Sequence, residues 1–190
     1  MSAVTNADLH ALLARVARKD QAAFRALYEA LEKPLFRFIQ QKLNDPFQAS
    51  DILHDVFMEI WKKADRFEGR STVKSWVFGI AYNKCMDAFR RAGRVVVTDE
   101  VPEMVDDSPD GEACVLAAQE GAHVHACLEE LKPQHREAVE LAFFEDMSYR
   151  DIGAVLDTPE GTIKTRVFHA KQLLLRCLAD RLQVKGSRDG

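Results

Sequence analysis

Residues 148–174 read "SYRDIGAVLDTPEGTIKTRVFHAKQLL". Ser148 and Asp151 match the capping box [ST]-x-x-[DE], which predicts a short helix from about Tyr149 to Leu156. Asp157 and Thr158 make the turn. Thr158 is the expected cap of the next helix and Pro159 its first position, where a missing N–H costs nothing. In that second helix Ile163, Val167, Ala170 and Leu174 form one apolar stripe. At about 100° per residue, Thr165, Phe168, His169 and Gln172 stand opposite it, flanked by Lys164, Arg166 and Lys171. Short helix, tight turn and longer helix with a polar outer face is the helix-turn-helix pattern, although a plain helical hairpin shares its spacing. The side chains favour nucleic acid. Thr165, Phe168 and His169 suit base edges, and the cations suit the phosphates beside a groove. The competing reading of Phe168 is core packing.

Working outward, the periodicity stays helical. Leu9, Leu12, Leu13 and Val16 define a first short helix, closed near Lys19. Asp20 caps "QAAFRALYEALEKPLFRFIQQKL", which Pro34 is expected to kink or interrupt. "NDP" at 44–46 is a turn. The third helix, "ASDILHDVFMEIWKKAD", turns Ile52, Val56, Ile60 and Trp61 inward. "FEGR" breaks it, and Ser71 is the expected cap of a fourth helix ending at Gly93. No alternating strand pattern exceeds "RVVVTD", read as an extended exit. From Thr98 to Glu120 there are eight acidic residues and no basic one, the composition of a solvated linker. The expected organisation is all-α: an N-terminal helical domain at 1–94, an acidic linker at 95–120 and a helix-turn-helix domain at 121–190.

Composition bounds the function. The chain has 190 residues, 47% hydrophobic and 29% charged, as in an ordinary soluble globular protein. Its net charge of −4 means that any affinity for nucleic acid must come from localised cations. They occur between Arg70 and Arg94, where Arg70, Lys74, Lys84, Arg90, Arg91 and Arg94 face a single acid, Asp87. Trp76, Asn83, Asp87 and Arg90 share one side of that helix, and Asn83 and Arg90 suit an exposed nucleic-acid face. Cys85, Cys114, Cys127 and Cys177 are widely spaced without a C-x-x-C pair. That argues against a zinc knuckle and a disulfide framework, and fits a reducing cytosol. With no signal peptide and no membrane-length apolar run, the expected location is cytoplasmic.

The chain resembles the extracytoplasmic-function (ECF, group 4) sigma factors, the smallest class of bacterial transcription initiation factors. The resemblance covers about Ala22 to Arg94 and Leu128 to Leu182. The first block holds "ASDILHDVFMEIWKKADRFEG" and "STVKSWVFGIAYNKCMDAFRR". The second holds "LEELKPQHREAVELAFFEDMSYRDIGAVLDTPEGTIKTRVFHAKQLLL". It implies a region 2-type domain, a flexible linker and a region 4-type domain in an alternative sigma factor. The implied partners are core RNA polymerase (β′ clamp helices and β subunit), promoter DNA and an anti-sigma factor. It also implies residue roles. The helix from Ser50 to Asp65 would bind the clamp helices through Asp51, His54, Asp55, Glu59 and Lys62; the family usually has Gln-Glu where His54-Asp55 stand. Arg66, Arg70, Ser71, Lys74, Trp76, Asn83, Lys84, Arg90 and Arg91 would meet the −10 element. Lys164, Thr165, Arg166, Phe168, His169 and Lys171 would meet the −35 element, with His169 where the family often has arginine.

Other readings are weaker. "DILHDV" suggests a metal-dependent phosphohydrolase, but no second set of His and Asp ligands accompanies it, so neither catalysis nor a cofactor is expected. In "HVHAC" His123 and Cys127 share a helical face that His125 does not, two ligands where a structural metal takes four, so no metal site is expected. A conventional two-domain helix-turn-helix regulator of duplex DNA is the alternative function. It would need a ligand pocket or a phosphoacceptor aspartate after a strand in the N-terminal half.

Overall fold

The computed structural model describes residues 5–93 and 121–186, and every regular element among them is helical. Arg94, the "RVVVTD" exit, the linker 95–120 and Cys114 lie outside the described residues. The elements are α1 (Asn6–Ala17), α2 (Gln21–Leu43), α3 (Pro46–Lys63), a 3-10 turn (Ala64–Arg66), α4 (Val73–Arg91), α5 (Gly121–Glu129), α6 (Pro133–Phe143), α7 (Tyr149–Leu156) and α8 (Glu160–Gly186). The chain gathers into two compact units. One holds α1–α4 together with Arg150–Thr158; the other holds α5, α6 and α8.

In the first unit the caps follow from local chemistry. Asp20 accepts from the N–H groups of Ala22 and Ala23, and Thr5 and Asp8 close a capping box on α1. Asn44 in the left-handed region ends α2, and Asp45 caps α3, which starts at Pro46 rather than near Ser50. Pro34 does not interrupt α2. Leu27, Leu31 and Leu35, all within 1% of full burial, span the proline on one face. Each is worth about 1.5–3 kcal/mol of burial, which together exceeds the roughly 3 kcal/mol that a mid-helix proline costs. Leu53, Val56, Phe57 and Ile60 of α3 and Val73, Val77, Phe78, Ala81 and Cys85 of α4 complete this core. Trp61 is half-buried against Phe24 at 5.0 Å, and Ile52 is likewise only partly covered. The cap of α4 is Thr72, whose hydroxyl accepts from Ser75 N–H, not Ser71.

The second unit is built on Cys127, Leu128, Leu131, Val139, Ala170 and Leu174. Arg136 ties its connection down by donating to the carbonyls of Glu129 and Leu131. Cys127 of α5 and Cys177 of α8 form a disulfide across a separation of 50 residues, with Cα atoms 5.8 Å apart. This corrects the expectation from spacing. A rule built on C-x-x-C sees only neighbours in sequence, whereas α5 lies along α8 and brings distant cysteines together. Cys85 is buried in the core of the first unit.

Candidate polymerase and nucleic-acid interfaces

Three faces carry the side chains singled out in the sequence. On α3 the helical repeat that buries Leu53, Val56 and Ile60 turns Asp51, His54, Asp55 and Lys62 to solvent, with the half-exposed Met58 among them. Glu59 behaves differently. Its carboxylate accepts from Lys63 at 2.7 Å and pairs with Lys84 of α4 at 2.9 Å. The Lys63 hydrogen bond first, then that of Lys84, holds its pKa below the usual carboxylate value. Glu59 and Lys84, expected on separate interfaces, therefore fasten α3 to α4.

The second face runs from the 3-10 turn along α4. Gly69, at φ +70°, makes the bend between them in a backbone region that favours glycine. Arg66, Arg70, Asn83, Arg90 and Arg91 are exposed, while Ser71, Lys74 and Trp76 are partly covered. Arg70 pairs with Glu68 at 2.6 Å, and Arg90 pairs with Asp87. Both pairs are solvent-exposed and so weakly held, which leaves the guanidinium groups free to exchange to phosphate. Trp76 rests against Phe67 with ring centroids 5.4 Å apart, and Phe67 meets His10 at 5.8 Å. The turn after α3 is thus pinned to α4 by an aromatic contact, with Asn83 exposed two turns further along.

The third face is on α8. Ile163, Val167, Ala170 and Leu174 are buried, as the stripe requires. Asp157, at φ +50°, turns the chain after α7, and the Thr158 hydroxyl donates to Leu156 O. Lys164 is exposed and pairs with Glu160; Phe168, His169 and Lys171 are partly covered. The Lys171 ammonium lies 5.3 Å from the centre of the Phe143 ring. Two residues depart from the expected outward face. Thr165 is buried at 6% exposure and turns its hydroxyl back to Gly161 O at 3.1 Å, the i−4 bond open to a helical threonine. Arg166 is buried at 8%, its Nε without a hydrogen-bond partner, and its charge acts on His135 of α6. A wheel assigns one direction per residue and cannot anticipate either.

His135 is the residue that the sequence did not single out. Its ring stacks on His169 with centroids 6.5 Å apart and planes 22° apart, while Phe168 meets the His169 ring edge-on at 5.7 Å. Burial chiefly, and then the charges of His169, Lys132 and Arg166, lower the His135 pKa below its ordinary 6.5. A cleft of about 620 Å³ opens here, lined by His135, Phe168, His169, Gln172, Leu173 and Arg176. Among the described residues no cluster of three or more His, Cys, Asp or Glu is placed to hold a metal ion, and no helix is long and apolar enough to cross a membrane.

Comparison with known proteins joins these faces. Residues 27–95 match Sigma-70 region 2, and residues 123–174 match Sigma-70, region 4. The chain is 28% identical over 177 residues to the ECF RNA polymerase sigma factor SigK of Mycobacterium tuberculosis, covering 91% of this chain and 95% of that one. SigK of Mycolicibacterium vanbaalenii is 27% identical over 186 residues, covering 92% and 91%. Among solved structures, the sigma factor RpoE of Bartonella quintana, in complex with the anti-sigma factor NepR, is 25% identical. It superposes with a TM-score of 0.56 over 82% of this chain and 96% of that one. CnrH, in complex with the cytosolic domain of CnrY, shares the fold with a TM-score of 0.59 over 90% and 97%, at 23% identity.

Proposed function

With Sigma-70 region 2 and region 4 in order over more than half its length, the chain belongs to the Sigma-70 family, and we propose that it serves as an ECF sigma factor of group 4. It takes core RNA polymerase to particular promoters as a dissociable subunit and helps open them. The single observation that carries this reading is the presence of both regions at near full-length similarity to ECF sigma factors. A conventional duplex-binding regulator has no use for a region 2.

The roles divide by face. The exposed α3 stripe of Asp51, His54, Asp55 and Lys62 docks on the β′ clamp helices, and the region 4 unit meets the β subunit. On the second face Asn83 and the aromatic pair Phe67–Trp76 hold unpaired bases of the −10 strand, while Arg66, Arg70, Lys74, Arg90 and Arg91 neutralise its phosphates. On α8 His169 and Phe168 read the −35 duplex, and Lys164 and Lys171 flank them. Melting needs no catalytic group: binding energy for the extruded strand favours the open form. An anti-sigma factor would hold the protein inactive until released; the similar RpoE is found in complex with the anti-sigma factor NepR. Run-off transcription with core polymerase on a promoter library tests the whole reading. Start sites sharing −10 and −35 elements are expected, and transcripts no different from core polymerase alone would overturn it.

A further inference from the structure

A side chain that reads a base must already point the right way, because discrimination is lost when a reader can swing between wrong and right partners. Histidine on an open helix face is poorly suited to this, since rotation about its χ2 has broad minima. His169 is not on an open face. Its ring is held between Phe168, edge-on at 5.7 Å, and the near-parallel ring of His135 at 6.5 Å. Both lie within the distance range over which aromatic pairs hold a preferred geometry. His135 comes from α6, 34 positions earlier in the chain and outside the helix-turn-helix.

The His135 ring is itself an unusual choice. Its Nδ1 is buried without a hydrogen-bond partner, a cost that a leucine or phenylalanine there would avoid. What histidine supplies is a small flat ring, and the surroundings disfavour its proton: burial first, then the charges of His169, Lys132 and Arg166. A flat ring packed on one side of His169 leaves its other edge to the cleft that it lines with Gln172 and Arg176.

The geometry points to His135 as a second specificity-determining residue of promoter recognition, a positioning residue that fixes the His169 ring for base reading from outside the helix-turn-helix. The inference rests on the proposed reading of −35 DNA by α8. It is tested with the full-length protein reconstituted with core polymerase, measuring relative promoter use across every single-base variant of the −35 element. His169→Ala is the reference and should relax preference at one or two base pairs. His135→Ala should relax preference at the same positions, about 3- to 10-fold, the scale of leaving one side chain unfixed. The double variant should be no more relaxed than His169→Ala alone. His135→Phe, which keeps a flat ring, should retain the preference, and His135→Leu, which fills the space without one, should lose it. The Phe and Leu pair decides the matter if the alanine variant folds poorly. Wild-type preference in both His135→Ala and His135→Leu, beside a relaxed His169→Ala, overturns the inference and leaves the α8 reading intact. Wild-type preference in His169→Ala overturns both. Uniform loss of transcription with unchanged preference in every His135 variant makes the residue structural only, and also overturns it.

Discussion

Reduction of the Cys127–Cys177 bond by a dithiol adds one hydrogen to each sulfur and removes no atom, so its effect can be worked out cleanly. The bond closes a loop of 50 residues. In the chain-entropy account such a loop removes about 14 cal/mol/K from the unfolded ensemble, or about 4 kcal/mol at 25 °C. Against this, the freed thiols lose little in the folded state, because Cys127 is 1% exposed among Leu128, Leu131, Val139 and Leu174, where a thiol packs as a small apolar group. A unit of this size has a total stability of roughly 3–10 kcal/mol, so the bond is a large part of it. The assay is urea unfolding of the full-length protein with and without a dithiol reductant, followed by far-ultraviolet circular dichroism. Both tryptophans, Trp61 and Trp76, lie in the unit of α1–α4, so their fluorescence serves as an internal control. With a urea slope of about 1–2 kcal/mol/M for so small a unit, reduction should move the helical transition of the second unit down by roughly 2–4 M. The double variant Cys127→Ala/Cys177→Ala should behave like the reduced protein or slightly worse. Coincident circular-dichroism transitions for oxidised and reduced protein would refute the reasoning, because the loop entropy would then be offset by strain in the folded bond.

Three further outcomes follow from the same faces and contacts. Asn83→Ala removes an exposed amide able both to donate to and accept from a base edge, and should lower open-complex formation about tenfold, read by permanganate reactivity, with affinity for core polymerase unchanged. Lys171→Ala should weaken holoenzyme binding to all −35 sequences alike and reduce the salt slope by about one, whereas His169→Ala should leave that slope unchanged at neutral pH. Because burial holds the His135 pKa below 6.5, the unfolded chain takes up a proton that the folded chain refuses. Stability should therefore fall as the pH drops from about 6.5 towards the folded pKa, and His135→Phe should flatten that limb of the melting-temperature profile.

What the sequence made legible is what depends on neighbours along the chain. Helical repeats placed the buried stripes of α2 and α8 and, on α3, Val56 and Ile60 but not Leu53 and Phe57; capping chemistry placed Asp20 and the start of α7. Most of the misses were decided by a partner distant in sequence, or by competition between local and tertiary terms. Pro34, expected to kink or interrupt α2, does not interrupt it, and buried leucines span it on one face. Ser71 and Thr72 are chemically alike, and which one caps α4 depends on which hydroxyl meets Ser75 N–H. Glu59 and Lys84 look like free surface charges on two separate wheels, yet they pair at 2.9 Å once α3 lies against α4.

The same reasoning explains why the face of α8 was only half readable. A wheel gives each residue a direction, so it could set Phe168 and His169 opposite the apolar stripe. It could not show that Thr165 bonds its own helix or that Arg166 is buried, with its charge disfavouring the proton of His135. The face of α8 open to the proposed −35 reading is therefore narrower than the sequence suggested: His169 and Phe168 at the centre, Lys164 and Lys171 at the margins, and a ring from α6 behind them. A narrow reader backed by a second helix concentrates discrimination on a few base pairs. If that is how this protein selects promoters, replacing His169 alone with arginine should not install a clean guanine preference. The longer side chain carries its guanidinium past the place where the imidazole sits between Phe168 and His135, so the shift towards guanine should be accompanied by looser discrimination at the neighbouring pair. Single-base binding profiles of the His169→Arg holoenzyme measure both effects at once, and a guanine preference as sharp as that of the wild type for its own base would show that the ring from α6 is dispensable.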